Sequence, residues 1–498
     1  MQRGQLLIGL FCVLFCCSCS SSHEGQYSIQ QKYAPSLLQA DAQILEKILE
    51  ANHPSLYWYT AKEKMDSYFN ETIHGIQDSL TEVEFRNRIA VLVSQIRCGH
   101  TIVRYSNQFV KFLSKNRAPQ FPLSIKTWND SLVVLANIYP ESKIKRGTII
   151  TSINGKSNKS LLDSFFKFIS IDGDAVSYKS QIVSNNFGAW YRNMFGIDSS
   201  YAIGYIDSLG IEKKETLRSF RPIIVERSKM DSLQKIMNGF KIPTKKEIRI
   251  ARKTAAMSLT FDDTTNTAYM HLAGFSMNGL QKFMRKSFRQ IEENKTQNLI
   301  IDLRDNGGGH LNNSIKLTRY LAKHPFKVAD TVAAINRNFA YSKYIHQSFW
   351  YWFPLNFNTT KMEDGRYHYH RFETKKYQPF VHHHFDGNIY LLQGPSTFSA
   401  ASVFTGSLKG QENVLLVGEE TGGGYYGNSA IHLLTVVLPN TKIQISLPLF
   451  RVVLDKDRPM GRGVMPDILV QPNSFAIQQG VDLKMQVVRE KIRVKREK

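Results

Sequence analysis

From residue 36 to 97, apolar residues recur at three- and four-residue intervals, most clearly in Leu45-Glu46-Lys47-Ile48-Leu49 and from Phe85 to Ile96. That spacing lays one apolar stripe along each segment and predicts helices, broken near Pro54. Residues 20–115 are accordingly expected to form an N-terminal helical region. The pattern changes at about residue 116. Pro122-Leu123-Ser124-Ile125 and Leu132-Val133-Val134-Leu135 predict short strands. Gly147 to Ile153 then runs into Asn154-Gly155, a tight-turn pair, before a helical stretch from Leu161 to Phe168. With a β-rich extension that includes Glu247 to Ile250, residues 116–255 form a second unit.

Residues 256–475 alternate between the two periods. Thr267 to Leu272, Asn298 to Leu303, Ile389 to Leu392 and Val414 to Val417 predict strands, and Gly279 to Asn294, Asn312 to Ala322 and Ser399 to Lys409 predict helices. The alternation predicts an α/β domain with a mostly parallel sheet flanked by helices. Residues 476–498 form a basic tail. Its last stretch, Arg489 to Lys498, is a charge run expected to be frayed and solvated.

The chain has 498 residues, enough for several domains, and a formal charge of +22. The basic residues are dispersed and show no zinc-finger spacing, so a solvated basic surface is expected rather than a nucleic-acid interface. Four of the five cysteines, Cys12, Cys16, Cys17 and Cys19, lie at the N-terminus; Cys98 stands alone, so no intramolecular disulfide framework can be built from the rest. Arg3, the apolar run Leu6 to Phe15 and the small residue Ser18 before Cys19 resemble a bacterial lipoprotein signal over residues 1–19. Cys19 is the expected lipidation site, with Cys17 or a plain secretory signal as alternatives. On this reading the mature protein sits in the cell envelope, lipid-anchored to a bacterial membrane and facing periplasm or exterior.

Four segments carry candidate chemistry. Asp302-Leu303-Arg304-Asp305-Asn306-Gly307-Gly308-Gly309-His310 follows a strand and precedes a helix, a turn whose open N–H groups suit an oxyanion. Ser396-Thr397-Phe398-Ser399-Ala400-Ala401-Ser402 opens a helix with small residues and places serines at its positive end, where they serve either as caps or as nucleophile. Gly418-Glu419-Glu420-Thr421-Gly422-Gly423-Gly424 and Gly461-Arg462-Gly463-Val464-Met465-Pro466-Asp467 complete the set. The histidine-rich stretches at 367–370 and 382–384 lack the spaced carboxylate or cysteine partners of a metal site, and neither metal nor cofactor is expected.

In this order and spacing the four blocks resemble the C-terminal processing (tail-specific) proteases, with the tricorn core and the interphotoreceptor retinoid-binding protein as relatives. The resemblance covers roughly residues 85 to 475. It implies a ClpP/crotonase-like protease core, and the segment ending in Ile153-Asn154-Gly155 resembles a PDZ module. It implies Ser399 as nucleophile, with the N–H groups of Gly308 and Ala400 as oxyanion donors and an acyl-enzyme as intermediate. Many members activate the serine with a lysine, but counting 25 residues from Ser399 reaches Gly424. The tricorn-like branch uses a histidine, and Cys98-Gly99-His100-Thr101 resembles that segment, so His100 is the expected base, with His310 and His432 as competitors. Asp457 is the expected acid, with Asp455, Glu419 and Glu420 as alternatives. Cys98, two residues from His100, is a minor candidate nucleophile. The expected substrates are proteins or peptides. The rival reading is a non-catalytic peptide- or lipid-binding protein on the same fold.

Overall fold

The computed structural model describes residues 27–116, 118–222 and 243–497. The signal segment and Cys19 lie outside the described residues. Among those described, no helix is long and apolar enough to cross a membrane.

The core is a six-stranded sheet in the order Met257–Asp262, Thr267–Leu272, Asn298–Asp302, Asn388–Gln393, Val414–Gly418 and Ile468–Leu469. The first strand is antiparallel to its neighbour and the others run parallel. Consecutive side chains of a strand face opposite ways, and here both faces are covered. Leu299, Ile301, Ile389, Leu391 and Leu416 pack under the helices Leu280–Glu293, Leu311–Arg319 and Ala400–Leu408. Ile300, Tyr390, Leu392 and Val417 face the other way, onto Val488 and Ile492. Those two residues belong to the helix Leu483–Arg496, so the basic tail is not frayed. Apart from Lys484, which pairs with Glu419, its charged residues are exposed, while an i, i+4 apolar pair docks it on the sheet.

A second sheet is built around the long antiparallel hairpin Gly427–Val437 and Gln444–Val453. The helices Pro35–Asn52, Lys62–His74 and Glu82–Ser94 share one core with it, joining Leu45, Phe69, Phe85 and Ile89 to Leu434, Val436, Ile445 and Leu447. Buried Asp41 fixes the contact by accepting the N–H groups of Asn440 and Thr441 at 2.9 and 2.8 Å. The N-terminal helices are thereby docked beside the α/β core.

The third unit is an antiparallel sheet ordered Leu123–Trp128, Ser131–Asn137, Ile149–Ile153, Ser200–Ile206 and Glu212–Arg218, with its own apolar core. Glu247 to Ile250 is not a strand. It lies in the helix Lys245–Ala256, started by a reciprocal cap between Thr244 and Glu247.

Candidate active site

The strand Asn388–Gln393 turns sharply into the helix Ala400–Leu408. Buried Thr397 closes the turn: its hydroxyl donates to the Leu303 carbonyl at 2.8 Å and accepts the Gly394 N–H at 3.0 Å. Ser399 sits at the cap of the helix with φ 54° and ψ −124°. A non-glycine residue holds such a backbone only where its surroundings over-determine it. Gly308 supplies one side of that constraint. A β-carbon there would lie 2.7 Å from both the Phe398 carbonyl oxygen and Ser399 Cβ. The glycine run of the 302–310 segment is thus required for close packing against the serine.

His100 reaches the same point from 299 positions upstream, with Nε2 3.0 Å from Ser399 Oγ. With the ring proton on Nδ1, Nε2 accepts the serine O–H, the arrangement of a nucleophile and its general base. The loop carrying His100 is fixed from several sides. The Ser446 hydroxyl donates to the His100 carbonyl at 2.5 Å and accepts the Ile102 N–H at 2.9 Å. The imidazole stacks obliquely on Phe398, with ring centres 4.8 Å apart. Gly99 admits that ring, since a β-carbon there would lie 2.7 Å from Phe398 Cζ. Burial lowers the His100 pKa to about 4, which keeps the imidazole neutral at physiological pH.

Two residues that hold this loop were not visible in the sequence. Asp172, fully buried, accepts the Gly99 N–H at 2.7 Å and, at 3.4 Å, the Gly424 N–H. It ties the His100 loop to the glycine-rich loop that follows the strand Val414–Gly418. Burial pushes its carboxyl up to about 7, against the pull of those two N–H groups. His53 is the other. Its Nδ1 accepts the Ser55 N–H at 3.2 Å, so its Nε2–H donates to Thr101 Oγ1 at 2.8 Å. Asp172 falls in a stretch without clear periodicity, and His53 sits at the end of a helix with no motif around it.

The expected acid is corrected. Asp457 is exposed on a turn, where its N–H bonds the Asp455 carboxylate, and it makes no bond to His100. The alternatives are engaged elsewhere: Asp455 with Arg458, Glu419 with Lys484, and Glu420 with Arg462 and the Gly463 N–H. His100 Nδ1 is buried with no hydrogen-bond partner among the described residues. The expected oxyanion pair is half corrected. The Gly308 N–H donates to Asn306 Oδ1 at 2.9 Å and is already used. Ala400 and Gly309 both border the cavity beside Ser399, and their amides donate to no protein acceptor among the described residues.

His310 and His432 line that cavity but do not bond Ser399; His432 packs on Tyr351, 4.9 Å between centres. Cys98 is buried, and its thiol is pushed up to about 11, first by burial and then by Asp172, so it is no nucleophile at neutral pH. Histidines of both histidine-rich stretches pair with carboxylates, among them His383 with Glu292 and His368 with Asp364 and Glu373. Among the described residues no group of three or more potential ligands is placed to hold a metal.

Comparison with known proteins agrees with this geometry. Peptidase family S41 matches residues 266–470. No curated protein matches the sequence. Among solved structures, the chain is similar to mature CPAF complexed with lactacystin at 14% identity, covering 92% of this chain and 98% of the other with a TM-score of 0.63. It is similar to mature CPAF alone at 14% identity, with 89% and 94% covered and a TM-score of 0.60. A photosystem II D1 C-terminal processing protease aligns at 16% identity over 88% and 94%, with a TM-score of 0.39. At such identities the two CPAF structures speak for a shared fold, and the family match speaks for the chemistry. The chain carries the domain of peptidase family S41, that of the C-terminal processing or tail-specific proteases, and is a serine peptidase.

Proposed function

We propose that this chain is an endopeptidase of exported or unfolded proteins that uses a histidine base in place of the lysine of many relatives. Ser399 Oγ attacks the peptide carbonyl while His100 Nε2 takes its proton. The amides of Ala400 and Gly309 receive the developing oxyanion, His100 returns the proton to the leaving amine, and water hydrolyses the acyl-enzyme by the same path in reverse. The observation that carries this reading is the 3.0 Å approach of Nε2 to Ser399 Oγ. The antiparallel sheet of residues 123–218, with the turn at Asn154-Gly155, is read as a PDZ-like unit that offers a sheet edge to a peptide. Cys19 is read as the lipid attachment point that holds the enzyme at the cell envelope, a reading supported by the sequence of residues 1–22.

The test uses the chain from residue 27 onward. Wild type should cleave unfolded casein and be labelled by a serine-directed fluorophosphonate. Ser399→Ala should lose both, and His100→Ala should lose cleavage. Absence of cleavage and of labelling in the wild type would leave the non-catalytic binder as the better reading. For the anchor, metabolic incorporation of a fatty acid should disappear in Cys19→Ala.

A further inference from the structure

A cavity of about 260 Å³ opens beside Ser399, bordered by the same Gly309 and Ala400 whose amides have no protein acceptor among the described residues. Its walls are mixed: Leu311, Phe372, Val403, Val452 and Leu454 form an apolar part, beside polar residues such as Asn312. One permanent charge stands in this lining, the guanidinium of Arg371, and no carboxylate does. Arg371 is exposed and makes no ion pair or hydrogen bond among the described residues, while its neighbour His370 lies 3.5 Å from Glu373. A bulge in the strand Gly427–Val437 shapes part of the wall: Ile431 and His432 adopt φ of 48° and 60°, and both line the cavity. His432 is half-buried and adds no formal charge as a neutral imidazole.

A peptide carbonyl seated at Ser399, with its oxygen on the Ala400 and Gly309 amides, directs its flanking groups into the space walled by those residues. Apolar walls accept a methylene chain. An unpaired guanidinium at their edge accepts a carboxylate through two parallel N–H donors better than any neutral group. We propose that this cavity is a substrate subsite for a carboxylate, held by Arg371, while the methylenes that carry it lie against Leu311, Val403 and Val452. Two sources share that chemistry: an acidic side chain next to the scissile bond, and the free C-terminal carboxylate of the substrate. The inference rests on the peptidase reading for its biological meaning, but its test does not require turnover.

The test measures binding to the Ser399→Ala protein by fluorescence anisotropy, with three N-terminally labelled octapeptides. The reference carries central glutamine and an amidated C-terminus. The second replaces glutamine with glutamate and stays amidated. The third keeps glutamine and has a free carboxylate. One of the anionic peptides should bind roughly tenfold tighter than the reference, the worth of one charge-assisted pair. Adding Arg371→Met should erase that difference, and Arg371→Lys should keep part of it. The peptide that gains identifies the source of the carboxylate. Equal affinity for all three, no binding by any, or a preference that survives Arg371→Met would overturn the proposal, the last showing only the general pull of a basic protein. Casein cleavage by the wild type, read separately, reports on the peptidase alone.

Discussion

Replacing Asp172 by asparagine tests whether a buried carboxyl holds the base loop. The native group is fully buried, accepts two backbone N–H groups and has no cation partner, and its pKa rises from 3.8 to about 7. The titratable groups around it, Cys98, Tyr59 and Tyr178, are neutral at physiological pH. A carboxyl raised in the fold contributes its full stability below the unfolded pKa and loses it as pH rises through the folded value. Over the whole window that amounts to about 4 kcal/mol, and between pH 5 and pH 8 to roughly 2–3 kcal/mol. Asparagine removes this dependence. It also turns an NH2 toward one of the two N–H donors, the more distant Gly424, at a pH-independent cost of about 1–3 kcal/mol. His100 and His53 are depressed by burial and act in the opposite sense, losing stability as pH falls, so the variant must be compared with wild type at each pH. Urea unfolding at pH 5 and pH 8 gives the four numbers. The deficit of Asp172→Asn relative to wild type should shrink by roughly 2–3 kcal/mol on going to pH 8. A deficit that stays constant would refute the assignment of a buried, uncompensated carboxyl.

Four further outcomes follow. The acid limb of kcat/KM should fall near pH 4, well below an ordinary histidine, because burial keeps His100 unprotonated down to about 4; a limb near 6.5 on peptide substrates would show a solvated base. Gly99→Ala places a methyl 2.7 Å from Phe398 Cζ and should lower kcat at least tenfold with KM little changed, through displacement of His100. Asn306→Ala leaves the Gly308 N–H without its acceptor and should destabilise the fold by about 1–3 kcal/mol in denaturant melts, with slower fluorophosphonate labelling of Ser399. Cys98 should resist alkylation at neutral pH in the native protein and react fully in urea, as tracked by mass spectrometry.

The α/β core was legible because its strands and helices keep clean periods. The strand Thr267–Leu272 is read at the same limits from sequence and structure. The serine and its histidine were legible because each sits in a short block whose small residues have a steric reason, Gly99 and Gly308 above all. The second sheet was not, since Gly427–Val437 carries a bulge that breaks strict alternation, and the pairing of Gln444–Val453 with Val103–Arg104 joins residues far apart in the chain. That the Gly308 amide is not free for an oxyanion was not legible, because the side chain of Asn306 claims it, a contact no spacing rule anticipates. Asp457 stands close to a block in the chain, whereas the acid that bonds the His100 loop, Asp172, reaches it across the fold.

The serine hydroxyl and its imidazole ride on separate parts of the molecule, and Ser446, still further along the chain, holds the loop that joins them. A nascent polypeptide therefore has no means of hydrolysis until nearly all of it has emerged and closed on itself. This delay is itself a safeguard: an unfinished strand is inert toward its surroundings, and potency arrives only with the completed shape.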